Sequence, residues 1–346
     1  MPNVLIKKIN DFIHEALTTV GVPKEQAEII ADTIVYAHTH GKETHGITRL
    51  PIYIKKIKRG LMTPNTILKK TQNTEVIATI DAGDGFGQVA AYDGMSLCMK
   101  MAEKYGIGAC GIRNSNNFGV AGYFTEMAVK EEMIGFIASA SAPAIAPTGG
   151  NIPIFGTNPI SIGFPTKGTE APIIFDMATS EVARGKIRLA EKNGEKIPFG
   201  WALNQEGNPT NDPHEALLGT MIPIGGYKGY GIAMTIDILA GLLTGNLFAG
   251  NIKNLNHSTE LSKHGHILMA IDIKKLMDYR EYLCKIDHLI CEIRKCGPVG
   301  AINIPGERSA KAAEQNKEFI QIGDKAVTEI TKLKKELHLD TNLFDI

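Results

Sequence analysis

The chain has 346 residues, enough for one large domain or two and for a sizeable core. Lysine plus arginine equals aspartate plus glutamate at 37 each, so there is no net basic field to draw nucleic acid or an anionic membrane. Five cysteines without a Cys-x-x-Cys pair exclude a disulfide framework or zinc ribbon and fit a reducing, cytoplasmic setting.

Val4, Leu5, Ile9, Phe12, Ile13 and Leu17 recur at helical spacing, which predicts an opening amphipathic helix with no signal-peptide core. Pro23 is placed for the first turn of a second helix over 25–37, and Gly41 for its end. His45 then falls in a loop or short turn. The basic run Lys55-Lys56-Ile57-Lys58-Arg59 reads as a solvated helix face. Past Glu75 the pattern becomes strand 76–80, helix 88–105, strand 107–113, helix 119–132 and strand 134–140, which predicts an α/β core. Apolar runs over 160–164 and 173–175 extend the sheet. The most apolar stretch, 229–247, contains Asp237 and many small residues, so it reads as a buried helix rather than a membrane span. A strand over 267–273 and helices over 279–293 and 326–337 complete the chain. Cys284 and Cys291, seven apart, share a helix face and read as core. Because the chain opens and closes with helices, both ends can pack into one helical subdomain.

The stretch Glu43-Thr44-His45-Gly46-Ile47-Thr48-Arg49 sets an imidazole four residues from a guanidinium. Histidine can exchange a proton near neutral pH, and arginine can grip a carboxylate through two parallel hydrogen bonds. Gly106-Ile107-Gly108-Ala109-Cys110-Gly111 matches GxGxxG, but it follows a helix and opens a strand, the inverse of a dinucleotide fingerprint. A helix C-cap is the better reading. Gly83-Asp84-Gly85-Phe86-Gly87-Gln88 lies between strand and helix and is either an anion cradle or a plain tight turn. His38, His40 and Glu43 suggest a metal, but residues two apart on a helix point to different faces, so no metal site is assigned. Asp176-Met177-Ala178-Thr179-Ser180 reads first as a helix N-cap, with a histidine-orienting role or a ligand contact as alternatives. Pro223 to Gly229 is a glycine-rich turn that places Lys228 where a phosphate can sit. Pro305-Gly306-Glu307 reads as a turn at a helix start.

Read together, Thr44-His45-Gly46 with Arg49, Asn114-Ser115-Asn116-Asn117-Phe118-Gly119, Ala146 to Gly150, Gly156-Thr157-Asn158-Pro159, Asp176 to Ser180, Gly200-Trp201-Ala202, Gly226 to Gly229 and Pro305 to Glu307 resemble one family over nearly the whole chain. It is that of the malate/L-lactate dehydrogenase-like oxidoreductases of the non-Rossmann type. The resemblance implies an α/β fold: a non-Rossmann mixed-sheet nucleotide-binding domain over 75–262, an N-terminal helical part over 1–74, and a C-terminal part over 263–346 packing on those helices. It implies hydride transfer between NAD or NADP, with NAD preferred, and a small 2-hydroxy or 2-oxo acid of the malate, lactate, sulfolactate or ureidoglycolate type. It also implies a homodimer.

The resemblance further implies His45 as acid/base, with Asn117 and Asp176 as the other catalytic positions and Thr44 and Arg49 at the substrate. Ser141, Gly156, Thr157, Asn158, Asp176, Met177, Ala178, Thr179, Ser180, Lys228, Gly229, Pro305, Gly306 and Glu307 match the dinucleotide-binding segments. Three positions depart from the family pattern. Asn117 stands where histidine is usual, Thr44 where serine is usual, and His38 and His40 where Asp and Arg are common. Asparagine cannot titrate near neutral pH, so the proton-carrying role shifts to His45. The alternatives are a cyclic imine-acid reductase of the same family and a non-catalytic dinucleotide-binding protein.

Overall fold

The computed structural model describes residues 2–168, 170–255 and 259–344. The chain opens with strand β1 (Asn3–Leu5), so the first helix, α1 (Ile6–Thr19), starts two residues later than the apolar spacing of Val4 and Leu5 implies. Helix α2 (Lys24–Thr39) follows Pro23 at its N-cap, and Gly41 with φ 72° turns the chain away. Two 3₁₀ turns, Glu43–His45 and Ile47–Arg49, lead into α3 (Leu50–Lys58). Next come β2 (Lys69–Gln72), β3 (Ile77–Asp81), α4 (Gly87–Tyr105), β4 (Ile107–Ser115), α5 (Ala121–Lys130) and β5 (Met133–Ala140). Then β6 (Ile160–Phe164), β7 (Ile173–Met177), α6 (Arg184–Asn193), β8 (Ala202–Leu203), α7 (Pro213–Leu218) and β9 (Thr220–Met221) carry the chain to α8 (Tyr227–Ile236). Helix α8 runs on as a π-turn over Asp237–Leu242. The last elements are β10 (His264–Asp272), α9 (Tyr279–Lys295), α10 (Glu307–Gln315), β11 (Phe319–Gln321) and α11 (Asp324–Leu337).

Among the described residues the main sheet has seven strands in the order β2-β3-β4-β10-β5-β6-β7. Only β3 and β4 pair in parallel, joined through α4. The expected β-α-β-α-β run is present, but β4 and β5 are not neighbours, because β10 lies between them and pairs antiparallel with both. That central strand begins at His264, past the expected boundary at 262, and β2 at the sheet edge falls before the boundary at 75.

Strand periodicity sorts the side chains to two faces. Ile137, Leu268 and Ala270 pack with α4 and α5, whereas Ala138, Ala140 and Ile267 pack under α8 and its π-turn. Gly108 allows α4 to lie close on β4, since a Cβ there would meet the Cys98 carbonyl oxygen at 2.3 Å. Gly106 at φ 92° is the C-cap of α4, and the GxGxxG run enters β4 rather than a helix.

Both chain ends build one helical block. Strand β1 pairs antiparallel with β11, and Phe12, Ile13, Ile30, Ile34 and Tyr53 share a core with Ile330, Leu333 and Leu337 of α11. Burying Phe12, Ile30 and Ile34 contributes roughly 1.5–3 kcal/mol each. A third core of Ile145, Phe155, Ile187, Ala202, Ala216 and Met221 holds α6 and α7 against the β8–β9 ribbon.

Three packing expectations are corrected. Lys56, expected on a solvated face, is 3% exposed and donates to Ser262 Oγ, because α3 lays that face on the loop before β10. Cys284 and Cys291 share a side of α9, but it is the solvent side. The 229–247 stretch is buried on one side only. Ala233, Ile236 and Ala240 face the sheet, while Met234, Ile238 and Leu242 form an exposed apolar row at helical spacing. Among the described residues no helix is long and apolar enough to cross a membrane.

Candidate active site

The helical block, the sheet ends and α6 enclose a cavity of about 360 Å³. Lys42, Thr44, His45 and Arg49 enter from the turns after α2, and Asn117 from the loop after β4. Ser139 and Ser141 come from β5 and its end, Thr157 from the approach to β6, and Asp176, Met177 and Ala178 from the end of β7. The first two turns of α6 add Arg184 and Arg188, and β10 adds His264. The structure thus gathers nine of the expected site residues, from five separate stretches of chain, around one space.

The 3₁₀ geometry explains how the histidine and arginine meet. Arg49 Nε donates to the Thr44 carbonyl oxygen at 2.5 Å, which folds the guanidinium back over the His45 turn. Thr44 Oγ1 lies 3.1 Å from His45 Nδ1 and engages that nitrogen, leaving Nε2 as the free edge of the ring. Burial pushes the imidazole down to about 3, and Arg49 and Lys42 beside it add to the effect. The near-neutral titration expected of a loop histidine is therefore replaced by a ring that is uncharged at pH 7. Burial also lowers Arg49, with Arg188 adding like-charge repulsion.

Asp176 does not cap the helix that follows it in sequence. It sits inside β7, where its carboxylate accepts from Gly122 N at 3.3 Å in the first turn of α5, and Lys42 Nζ lies 3.8 Å away. Burial raises its carboxyl, and Lys42 and the Gly122 amide oppose that. It has no hydrogen bond to His45, whose Nδ1 is taken by Thr44, so the expected tautomer-fixing role passes to the Thr44 hydroxyl. Asn117 Oδ1 accepts from Gly119 N at 3.0 Å and shapes the entry to α5, so its Nδ2 is the polar edge left for the cavity.

Other expected residues are placed around the cavity rather than in it. Asn158 is fully buried: its Oδ1 accepts from Ser141 N at 2.9 Å and its Nδ2 donates to the Ala233 carbonyl oxygen. Gly156 lets that turn approach Ser141, because a Cβ would meet Ser141 Oγ at 2.1 Å. Thr179 Oγ1 donates to the Thr157 carbonyl oxygen and Ser180 Oγ to that of Val182. Lys228 is exposed at the start of α8, beside the buried Gly229. Lys42 and Asp176 also line a second cavity of about 580 Å³, which reaches Gly306 and Arg308 at the head of α10. A third, of about 560 Å³, continues past Glu307, whose carboxylate accepts from Ile304 N and pairs with Arg294. Pro305 passes its carbonyl to Ile174 N, tying this turn to β7.

The glycine loop after β3 is not an anion cradle. Phe86 N donates to Thr66 Oγ1 at 2.9 Å, and the Thr66 side chain fills the space over Gly85. His38 Nε2 is bonded to the Gln321 carbonyl oxygen and His40 stacks on Tyr36, which commits both to packing.

Lys42, Arg184, Arg188 and His264 were not singled out from the sequence. The signal for the arginines was present: Arg184 and Arg188 are one helical turn apart, in a helix whose first turn has no acidic residue and no side-chain cap. Arginine there opposes the helix dipole, a cost that a bound anion offsets. Arg184 is tied to the Pro143 and Leu217 carbonyl oxygens, whereas Arg188 makes no hydrogen bond or ion pair among the described residues. Among the described residues the lining thus carries four cationic side chains and one carboxylate, Asp176.

A mixed-sheet α/β body thus carries a cavity lined, among the described residues, by four cationic side chains, two histidines and one carboxylate. Comparison with known proteins sharpens this. The family model of malate/L-lactate dehydrogenase matches residues 4–331. The chain is 39% identical over 329 residues to a malate/(S)-sulfolactate dehydrogenase of Methanothermus fervidus, covering 95% of this chain and 96% of that one. It is 30% identical to a Δ1-pyrroline-2-carboxylate reductase of Ancylobacter novellus, covering 90% and 91%. The solved sulfolactate dehydrogenase of Methanocaldococcus jannaschii superposes with a TM-score of 0.92 at 35% identity, covering 98% of each chain. The chain belongs to the malate/L-lactate dehydrogenase family and is an oxidoreductase of that class.

Proposed function

We propose that this protein oxidises and reduces a small 2-hydroxy/2-oxo acid that carries a second anionic group, of the malate or sulfolactate type. The observation that carries this reading is the arrangement of Arg49 and Arg188 in one cavity. Arg49, beside His45, is placed for the C1 carboxylate, and Arg188, at the uncapped head of α6, for the second acid group. Lactate and ureidoglycolate types and a cyclic imine acid offer one carboxylate to Arg49 and none to Arg188, so they rank behind.

The chain of three cavities from His45 past Lys42 and Gly306 to Glu307 suits an extended dinucleotide, with Lys42 and Arg308 near the head of α10 for its phosphates. When bound, the nicotinamide group supplies or accepts the hydride at C2. His45 moves the accompanying proton through Nε2. In the free enzyme the ring is unprotonated and ready to act as base. A carboxylate docking on Arg49 offsets the guanidinium charge and raises the imidazole toward the range where proton transfer is efficient. Asn117 Nδ2 donates a hydrogen bond and carries no proton.

Assembly is proposed as a homodimer through the exposed row Met234, Ile238 and Leu242, an apolar strip that a second copy would cover. Five unpaired cysteines suit a reducing, cytoplasmic compartment. The deciding assay follows absorbance of NADH and NADPH in parallel against oxaloacetate, sulfopyruvate, pyruvate and Δ1-pyrroline-2-carboxylate. Turnover of the first two at least tenfold above the others is expected. Preference for pyruvate or the cyclic imine refutes the second-anion assignment.

A further inference from the structure

The cavity of about 560 Å³ farthest from His45 lies where the end of α9, the loop 298–303 and α10 meet. Its charge is the reverse of that at the substrate end. Among the described residues it is lined by three carboxylates, Glu170, Glu307 and Glu314, and two cations, Arg294 and Lys311. The Arg294 guanidinium is already committed to carboxylates. Its Nη1 donates to Glu170 Oε1 at 3.0 Å and its Nη2 to Glu170 Oε2 at 2.7 Å, a bidentate pair, and Nη2 also donates to Glu307 Oε1. Glu307 Oε2 accepts from Ile304 N at 2.9 Å, which fixes this carboxylate at the head of α10. Lys311 lies four residues after Glu307 and three before Glu314 on α10, so carboxylates flank it on one helix face. Glu314 also pairs with Lys317 at 2.6 Å. The opposite character comes from Ala171, Val299, Ile302 and Ala310, which give the cavity an apolar wall, with Val299 fully exposed at its rim.

An apolar wall beside fixed carboxylates suits a flat, uncharged base attached to a sugar whose hydroxyls can donate. We propose that this cavity takes the adenosine end of the dinucleotide and selects NADH over NADPH, with Glu170 as the specificity-determining residue. This rests on the oxidoreductase reading above. Glu170 acts in two ways: its carboxylate accepts from the ribose 2′-hydroxyl, and its bidentate pair with Arg294 withholds that guanidinium from a phosphate. A 2′-phosphate brings about two negative charges and no hydroxyl, so here it meets carboxylates instead of an available arginine. In dinucleotide folds an acidic side chain at the 2′ position marks NAD and an arginine marks NADP, for the same reason.

The test compares wild type with Glu170→Gln, which keeps the shape of the side chain, removes its charge and releases Arg294. Titration calorimetry with ADP-ribose and with 2′-phospho-ADP-ribose reads the site without any reaction. Wild type is expected to bind ADP-ribose roughly 30-fold or more tightly than the 2′-phospho form. Its kcat/KM on the best 2-oxo acid should favour NADH over NADPH by a similar factor. In Glu170→Gln the 2′-phospho form should bind about tenfold more tightly than it does to wild type, and ADP-ribose should bind less tightly, with Tm held. Wild type that binds the two probes equally, or prefers the 2′-phospho form, overturns the proposal, and this arm needs no variant to fold. So does a folded Glu170→Gln whose discrimination stays within about twofold of wild type. Failure of the underlying oxidoreductase reading looks different: the wild type would reduce no acid in the panel with either nucleotide.

Discussion

Replacing Arg188 with methionine separates the two acid-binding roles. Methionine keeps the unbranched stem and the helix propensity of α6 and removes only the guanidinium. Among the described residues Arg188 has no hydrogen bond or ion pair, so its loss strands none of them and stability should hardly move. A hydrogen bond to a charged group contributes about 1.5–3 kcal/mol, and each 1.4 kcal/mol is tenfold. The second acid group should therefore lose roughly 10- to 100-fold in kcat/KM when Arg188 is gone. Pyruvate should not suffer, because Arg188 lowers Arg49 by repulsion and its removal relieves the guanidinium that grips C1. The assay is kcat/KM of Arg188→Met on oxaloacetate, sulfopyruvate and pyruvate, with Tm as a fold check. A parallel fall on all three, or oxaloacetate and sulfopyruvate within twofold of wild type, refutes the reasoning.

The remaining predictions probe other links. His45→Gln should lower kcat by about 10²–10⁴-fold while NADH still binds, and near-normal turnover would remove His45 from proton transfer. Burial, then Arg49 and Lys42, hold the imidazole down, so removing the Lys42 charge in Lys42→Met should move the acid limb of the kcat/KM profile for oxidation to higher pH; a limb that stays put or falls contradicts the sign. Gly87→Ala should destabilise by about 1–3 kcal/mol and impair turnover, since the added Cβ would meet the Asn116 carbonyl oxygen at 2.1 Å and push the loop that carries Asn117. Ile238→Glu should convert a dimer to a monomer in light scattering, and an unchanged mass would locate the interface elsewhere.

The motif set could be read from the sequence because its residues are local. Thr44-His45-Gly46 with Arg49 works within two adjacent 3₁₀ turns, and its internal hydrogen bonds need nothing from the rest of the chain. Most of the longer helices and strands followed from periodicity, with shifts of a few residues at the ends, whereas the short β1, β2, β8, β9 and β11 and helix α7 did not. The features that stayed hidden depend on distant partners. Nothing near Lys56 announces that Ser262 will cover it, and nothing near Asp176 announces that it will serve the first turn of α5. His45 read as a near-neutral titrating group because its neutrality comes from burial and from Lys42, which only the folded turn brings close. Arg188 is exposed on α6, and only the fold shows that it also borders the cavity.

The position of β10 has a consequence for how the protein is made. The ribosome delivers β3, β4 and β5 well before it delivers residues 264–272, yet β4 and β5 bond through β10 and not to each other. During that interval the nascent sheet has two open strand edges facing a gap, and Ile112 and Ile137 lack the neighbour that will seal them. Edges of this kind template wrong pairings, and closing so long a loop is slow. The helical block is later still, since β1 must wait for β11 near the opposite end of the chain. The sheet should therefore close only after β10 has been made rather than strand by strand in chain order. Truncations short of β10 should aggregate even though they contain His45, Arg49, Asn117, Asp176 and Arg188.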